Sequence, residues 1–191
     1  MTLYCYGDSN AWGWDARLGA DRFPATSRWP NIAAALLGCM LRNDSMPGRT
    51  IPGGPMIPLL LRAVREFGKD DVLLLMLGTN DYLAGHLAGS LGRLWEPALN
   101  ALLEEKGMYR DRIFLATPPW QREMTEEQMQ AIRESYGNVC RQKGLCFIDA
   151  MRPCSLQFDG IHLSEQGQRE MGAYLAGEIR RQLPSLRPGN A

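Results

Sequence analysis

The chain has 191 residues, a length suited to one compact domain over residues 1–191 that ends in a short C-terminal tail from about residue 184. Its 21 Lys and Arg are balanced by 21 Asp and Glu, so it lacks the electrostatic footprint of a protein that binds nucleic acid or an anionic membrane. Its longest purely apolar run, Val72–Leu77, is six residues, against the ~20 a membrane-spanning helix needs.

Leu3–Tyr6 is predicted as a first strand, starting too close to Met1 to leave room for a secretory leader. Ser27–Leu37 is predicted as a helix, with Trp29, Ile32, Ala33, Leu36 and Leu37 at helical spacing. Cys39–Arg42 forms a short second strand. A Pro/Gly-rich turn, PGRTIPGGP, leads into a helix over 56–67, and DVLLLMLG is a strand apolar on both faces, as in the centre of a parallel sheet. Residues 91–106 are helical, and RIFLATPP is a strand stopped by Pro118 and Pro119. Thr125 and Gln128 make a capping box for a helix whose Met129, Ile132, Tyr136 and Val139 share a face. LCFIDA is the fifth strand. Ser164 caps a last helix, with Met171, Leu175 and Ile179 turned inward. Strands alternating with helices in this rhythm give a three-layer α/β/α sandwich around a five-stranded parallel sheet.

In such sheets ligands bind at the carboxyl ends of the strands. Those ends hold Gly7-Asp8-Ser9-Asn10, the stretch NDSMPGRT over 43–50, Gly78-Thr79-Asn80-Asp81 and, beyond the last strand, Asp159-Gly160-Ile161-His162. A serine hydroxyl attacks only when a base takes its proton, and a histidine oriented by a carboxylate is the usual base. Asp159 and His162, three apart across a turn that Gly160 can shape, fit that need. Ser9, Asp159 and His162 also follow the chain order of α/β-hydrolases. That fold is nevertheless disfavoured, because its G-x-S-x-G elbow would need glycine where Ala11 stands.

Gly7-Asp8-Ser9-Asn10, Gly78-Thr79-Asn80-Asp81 and Asp159-Gly160-Ile161-His162 resemble blocks I, III and V of the SGNH, or GDSL, hydrolases, in the family's order and across most of the chain. The wider GDSNAWGWD and RFPATSRW are similar to the arylesterase/acyltransferase branch, which hydrolyses small esters and passes acyl groups to alcohols or peroxide. The resemblance implies a flavodoxin-like fold with Ser9 as nucleophile, His162 as general base and then acid, and Asp159 as its orienter. It also implies an oxyanion hole formed by the Ser9 backbone N–H, the Asn80 amide and a block II backbone N–H. In NDSMPGRT the usual block II glycine is matched with Ser45, and Gly48 with a later glycine. Asn10 stands where the family name has leucine.

Other residues have plainer readings. Asp8 and Asp81 are turn-stabilising carboxylates, and His86 is a loop histidine. Of Trp12 and Trp14, one is expected to pack the loop on the sheet rim and the other to wall a narrow acyl or alcohol pocket. Cys5, Cys39, Cys140, Cys146 and Cys154, odd in number and without zinc spacing, are read as reduced thiols of a cytoplasmic protein. With two histidines far apart, no metal or cofactor is expected. The expected partner is a small-molecule ester, without nucleic acid or membrane, and homo-oligomerisation is left open. A carbohydrate O-acetyl esterase and a non-catalytic binding module on the same fold are the competing readings.

Overall fold

The computed structural model describes residues 1–18 and 21–183, the backbone alone at Leu18. The C-terminal tail from about 184 therefore lies outside the described residues. In chain order the main elements are β1 (Thr2–Gly7), α1 (Ser9–Trp12), α2 (Trp29–Leu37), β2 (Met40–Ser45), α3 (Ile57–Ala63), β3 (Val72–Met76), α4 (Thr79–Leu83), α5 (Leu91–Leu94), α6 (Glu96–Asn100), β4 (Ile113–Ala116), α7 (Glu126–Lys143), β5 (Cys146–Ile148) and α8 (Glu165–Gln182). The strands form one parallel sheet in the order β2-β1-β3-β4-β5.

Successive strand residues point to opposite faces, which divides the core in two. Tyr4, Tyr6, Leu73, Leu75, Ile113 and Leu115 pack with Leu60, Trp95, Leu99, Ile132 and Tyr136 on the face covered by α3, α5, α6 and α7. Leu3, Cys5, Leu74, Met76 and Phe114 pack with Trp29, Ala33, Met171, Leu175 and Ile179 under α2 and α8. Both faces are covered, so the three-layer α/β/α expectation holds.

Most boundaries shift by one or two residues, and three departures are larger. The second strand runs to Ser45 and not to Arg42, because pairing with β1 continues to Gly7↔Ser45. Its polar residues are tolerated since β2 is an edge strand exposed on alternate residues. The stretch read as a helix over 91–106 is split at Trp95 and ends in a π-helical turn, Ala101–Glu105. Pro97, in the first turn of α6, removes the N–H that would have continued the ladder. The helix read over 56–67 is α-helical only over Ile57–Ala63. The capping box on α7 is present as read, and Ser164 caps α8.

The winding reverses between β1 and β3, which puts a crevice at their carboxyl ends. Gly7 pairs with Met76 on one side and with Ser45 on the other. Three of the polar segments are thereby brought together by strand register alone.

Candidate active site

Ser9 opens α1 one residue past the N-cap Asp8, whose carboxylate accepts the Asn10 N–H at 2.9 Å. Burial pushes the Asp8 carboxyl up to about 6, against the pull of that hydrogen bond. The Ser9 Oγ lies 2.9 Å from Nε2 of His162. Nδ1 of His162 lies 2.7 Å from Asp159 Oδ2, and Oδ1 of the same carboxylate accepts the N–H groups of Ile161 and His162 at 2.9 and 3.0 Å. Partial burial alone would raise the Asp159 pKa, but these bonds and the imidazole outweigh it and hold the carboxyl below its ordinary value. Gly160 takes φ +71° in the turn between them, as its place in the motif suggested.

The segment after β5 reaches this rim by running back over the end of β4. Arg122 N–H donates to the Gly160 carbonyl at 2.9 Å, and Trp120 Nε1 donates to the Cys154 carbonyl at 3.2 Å. A bridge between Leu156 and Leu163 closes the excursion.

Asn80, in the first turn of α4, donates from Nδ2 to the Arg49 carbonyl at 2.8 Å. The next residue, Asp81, accepts the Ile51 N–H through both oxygens at 3.1 and 3.2 Å. The 49–51 loop is thus fastened beside Asn80. Burial raises the pKa of Asp81 above its ordinary value, against the pull of the Ile51 N–H. Asp8 and Asp81 are the turn carboxylates read from sequence, and His86 is exposed in the loop after α4.

Ser45 lies on the edge strand. It closes β2, its hydroxyl donates to Asn43 Oδ1 at 2.5 Å, and Asn43 Nδ2 in turn donates to the Ala11 carbonyl at 3.0 Å. N–H groups alternate sides along a strand. The Met46 N–H goes to the Gly7 carbonyl on β1, so the Ser45 N–H faces the open edge, away from Ser9. Gly48 lies in the turn that follows. Met46–Arg49 is a turn closed by the Arg49 N–H on the Met46 carbonyl at 3.2 Å, with Pro47 second and Gly48 third at φ +75°. That is type II geometry, which leaves the third residue's N–H outside the turn. Gly48 is exposed, and its N–H has no acceptor among the described residues.

The two tryptophans divide. The Trp14 ring lies 6.0 Å from the His162 ring at an interplanar angle of 31°. Trp12 lies against Trp14 and under the Arg22 guanidinium.

Sequence reasoning missed Gln157 and Gln168 and gave Asn10 no role. Buried Gln157 donates to the carbonyls of Trp14 and Leu163 at 2.8 and 3.0 Å and accepts the Ala16 N–H at 2.7 Å. Buried Asn10 accepts the Leu163 N–H at 2.9 Å through its side chain, and its carbonyl accepts from Gln168 at 2.9 Å. For Asn10 the signal was its place just past β1; Gln157 and Gln168, in a loop and inside α8, carried none.

A family model described as "GDSL-like Lipase/Acylhydrolase family" matches residues 5–170. Among solved structures, a carbohydrate acetylesterase from Sinorhizobium meliloti is 21% identical, with TM-score 0.79 over 95% of this chain and 99% of that one. The native aryl esterase of M. smegmatis is 22% identical, with TM-score 0.77 over 95% and 99%. These similarities carry the fold. Among curated proteins no sequence matches the chain. No helix among the described residues is long and apolar enough to cross a membrane.

Proposed function

The chain belongs to the GDSL-like lipase/acylhydrolase family and is a carboxylic ester hydrolase, and on that premise we propose that Ser9 is its nucleophile, acting on small acyl esters through an acyl-enzyme. The observation that carries this reading is the unbroken run Ser9 Oγ, His162 Nε2, His162 Nδ1, Asp159 Oδ2, with spacings of 2.9 and 2.7 Å. Its members come from opposite ends of the chain and meet at the switch point.

In the proposed mechanism His162 Nε2 takes the Ser9 proton while Oγ attacks the acyl carbon, and Asp159 holds the imidazolium that forms. The carbonyl oxygen becomes an oxyanion, which accepts from the Ser9 N–H, the second Nδ2 proton of Asn80 and the Gly48 N–H. Collapse expels the alcohol, which leaves with the proton from His162. Water, deprotonated by the same base, then releases the acid and frees Ser9. An alcohol in place of that water would give acyl transfer. Trp14, against His162, walls the acyl side and favours short acyl groups.

A sugar acetate presents the same acyl group, and one structural neighbour is a carbohydrate acetylesterase. The open rim supports this second reading: Phe158, adjacent to Asp159, is 72% exposed. All five cysteines are unpaired, which supports a reducing, cytoplasmic setting. A fluorophosphonate probe should label Ser9, and a screen of nitrophenyl acyl esters against acetylated sugars should separate the two substrates. No label on Ser9 in active protein would overturn the nucleophile.

A further inference from the structure

We infer that Asn10 is a positioning residue for the Ser9–His162 pair, a role that rests on the reading of Ser9 as nucleophile. Its side-chain oxygen accepts the backbone N–H of Leu163, the residue after His162, at 2.9 Å across 153 positions of sequence. Asn10 also follows Ser9 directly. One side chain therefore ties the nucleophile's turn to the base's turn by a second bond beside the Ser9–His162 hydrogen bond.

The tie is buried. Asn10 is 2% exposed, and Leu163 is fully buried. A neutral hydrogen bond of this kind cannot be exchanged for water, so its loss leaves the Leu163 N–H unsatisfied and frees the turn to shift. The Leu163 carbonyl is held from its other side by Gln157, which also grips Trp14 and Ala16. The peptide groups flanking the Leu163 Cα are thus clamped at both ends, and His162 hangs on that clamp. The Asn10 backbone is anchored independently, since its carbonyl accepts from Gln168. A side-chain change at position 10 should therefore leave α1 in place and loosen only the link to His162.

The test is Asn10→Leu, which removes the acceptor, with Asn10→Ala as the smaller variant should leucine overfill the site. On nitrophenyl acetate, kcat should fall about 10- to 100-fold, the scale of a misplaced reacting group. KM should stay within about threefold, because Asn10 does not line the acyl side. Fluorophosphonate labelling of Ser9 should slow in step with kcat, while circular dichroism and thermal unfolding report a folded protein. Equal loss in kcat and rise in KM, or parent-level kcat and labelling in both folded variants, overturns the role of Asn10 and leaves Ser9 as the nucleophile. Full activity in Ser9→Ala overturns both.

Discussion

Asn80 donates one side-chain N–H to the carbonyl of Arg49 at 2.8 Å, and this bond fixes the amide while leaving its second N–H to donate elsewhere. If that second proton serves the oxyanion, Asn80→Ala should lower kcat by roughly 10²–10³ with little change in KM. Asn80→Asp should be at least as poor, because a carboxylate next to a developing oxyanion repels it. Steady-state kinetics on one acetyl ester decides; an alanine variant within threefold of the parent removes Asn80 from the hole.

The Ser9, His162 and Asp159 chain makes a stronger demand. Ser9→Ala and His162→Ala should each reduce turnover by about 10⁴–10⁶. The double variant should be no worse than either single one, because the residues act as a unit. Additive losses would mean that they act separately. His162 is partly exposed and outside both core clusters, so its removal should leave the melting temperature nearly unchanged.

Much of this was legible beforehand, because strand register does the assembling. Once β1 and β3 are adjacent and parallel, the polar residues just past Gly7 and Met76 have nowhere else to go. What could not be read depends on partners distant in sequence. Asn10 looks like a turn residue until Leu163 is seen against it, and Gln157 is one more polar residue of a loop until Trp14 is. Where Ser45 would sit depended on where the edge strand ends: it runs three residues past Arg42, which puts Ser45 on the ladder and the turn at Pro47-Gly48.

Asp8 predicts a pH effect on stability. Its folded pKa is raised from 3.8 to about 6, so between those values the folded state holds a proton that the unfolded chain has lost. The stability this group contributes is complete below pH 4 and is lost as pH rises through 6, by on the order of 2–3 kcal/mol. Asp8→Asn keeps an acceptor for the Asn10 N–H but cannot ionise. Relative to the parent it should gain stability between pH 4 and 7 in urea titrations. A difference that stays flat over that range would show that the carboxyl titrates normally.

Trp14 and Trp12 should separate in acyl selectivity. Trp14 stands 6.0 Å from the His162 ring, so Trp14→Ala should raise the ratio of octanoyl to acetyl ester turnover several-fold. Trp12 is occupied by Trp14 and Arg22, and its removal should alter the ratio less. The reverse order would place the acyl wall on the other indole.

Ser45 and Gly48 offer the sharpest test of the block II loop. The Ser45 hydroxyl is spent on Asn43, two bonds removed from α1, and its N–H faces the open edge of the sheet. Ser45→Ala should therefore keep kcat within about threefold and cost about 1 kcal/mol for the lost hydrogen bond. At Gly48 a Cβ would meet nothing within 4 Å, so space is not limiting. The backbone is, at φ +75°, where an alanine costs about 1–2 kcal/mol. Gly48→Ala should thus lose more stability than Ser45→Ala and, because the turn can relax to relieve the strain, also lose turnover as its N–H swings out of reach. Measured together on one ester, a larger kcat loss in Ser45→Ala than in Gly48→Ala would mean that the Ser45 hydroxyl takes part and that Gly48 is not the third donor.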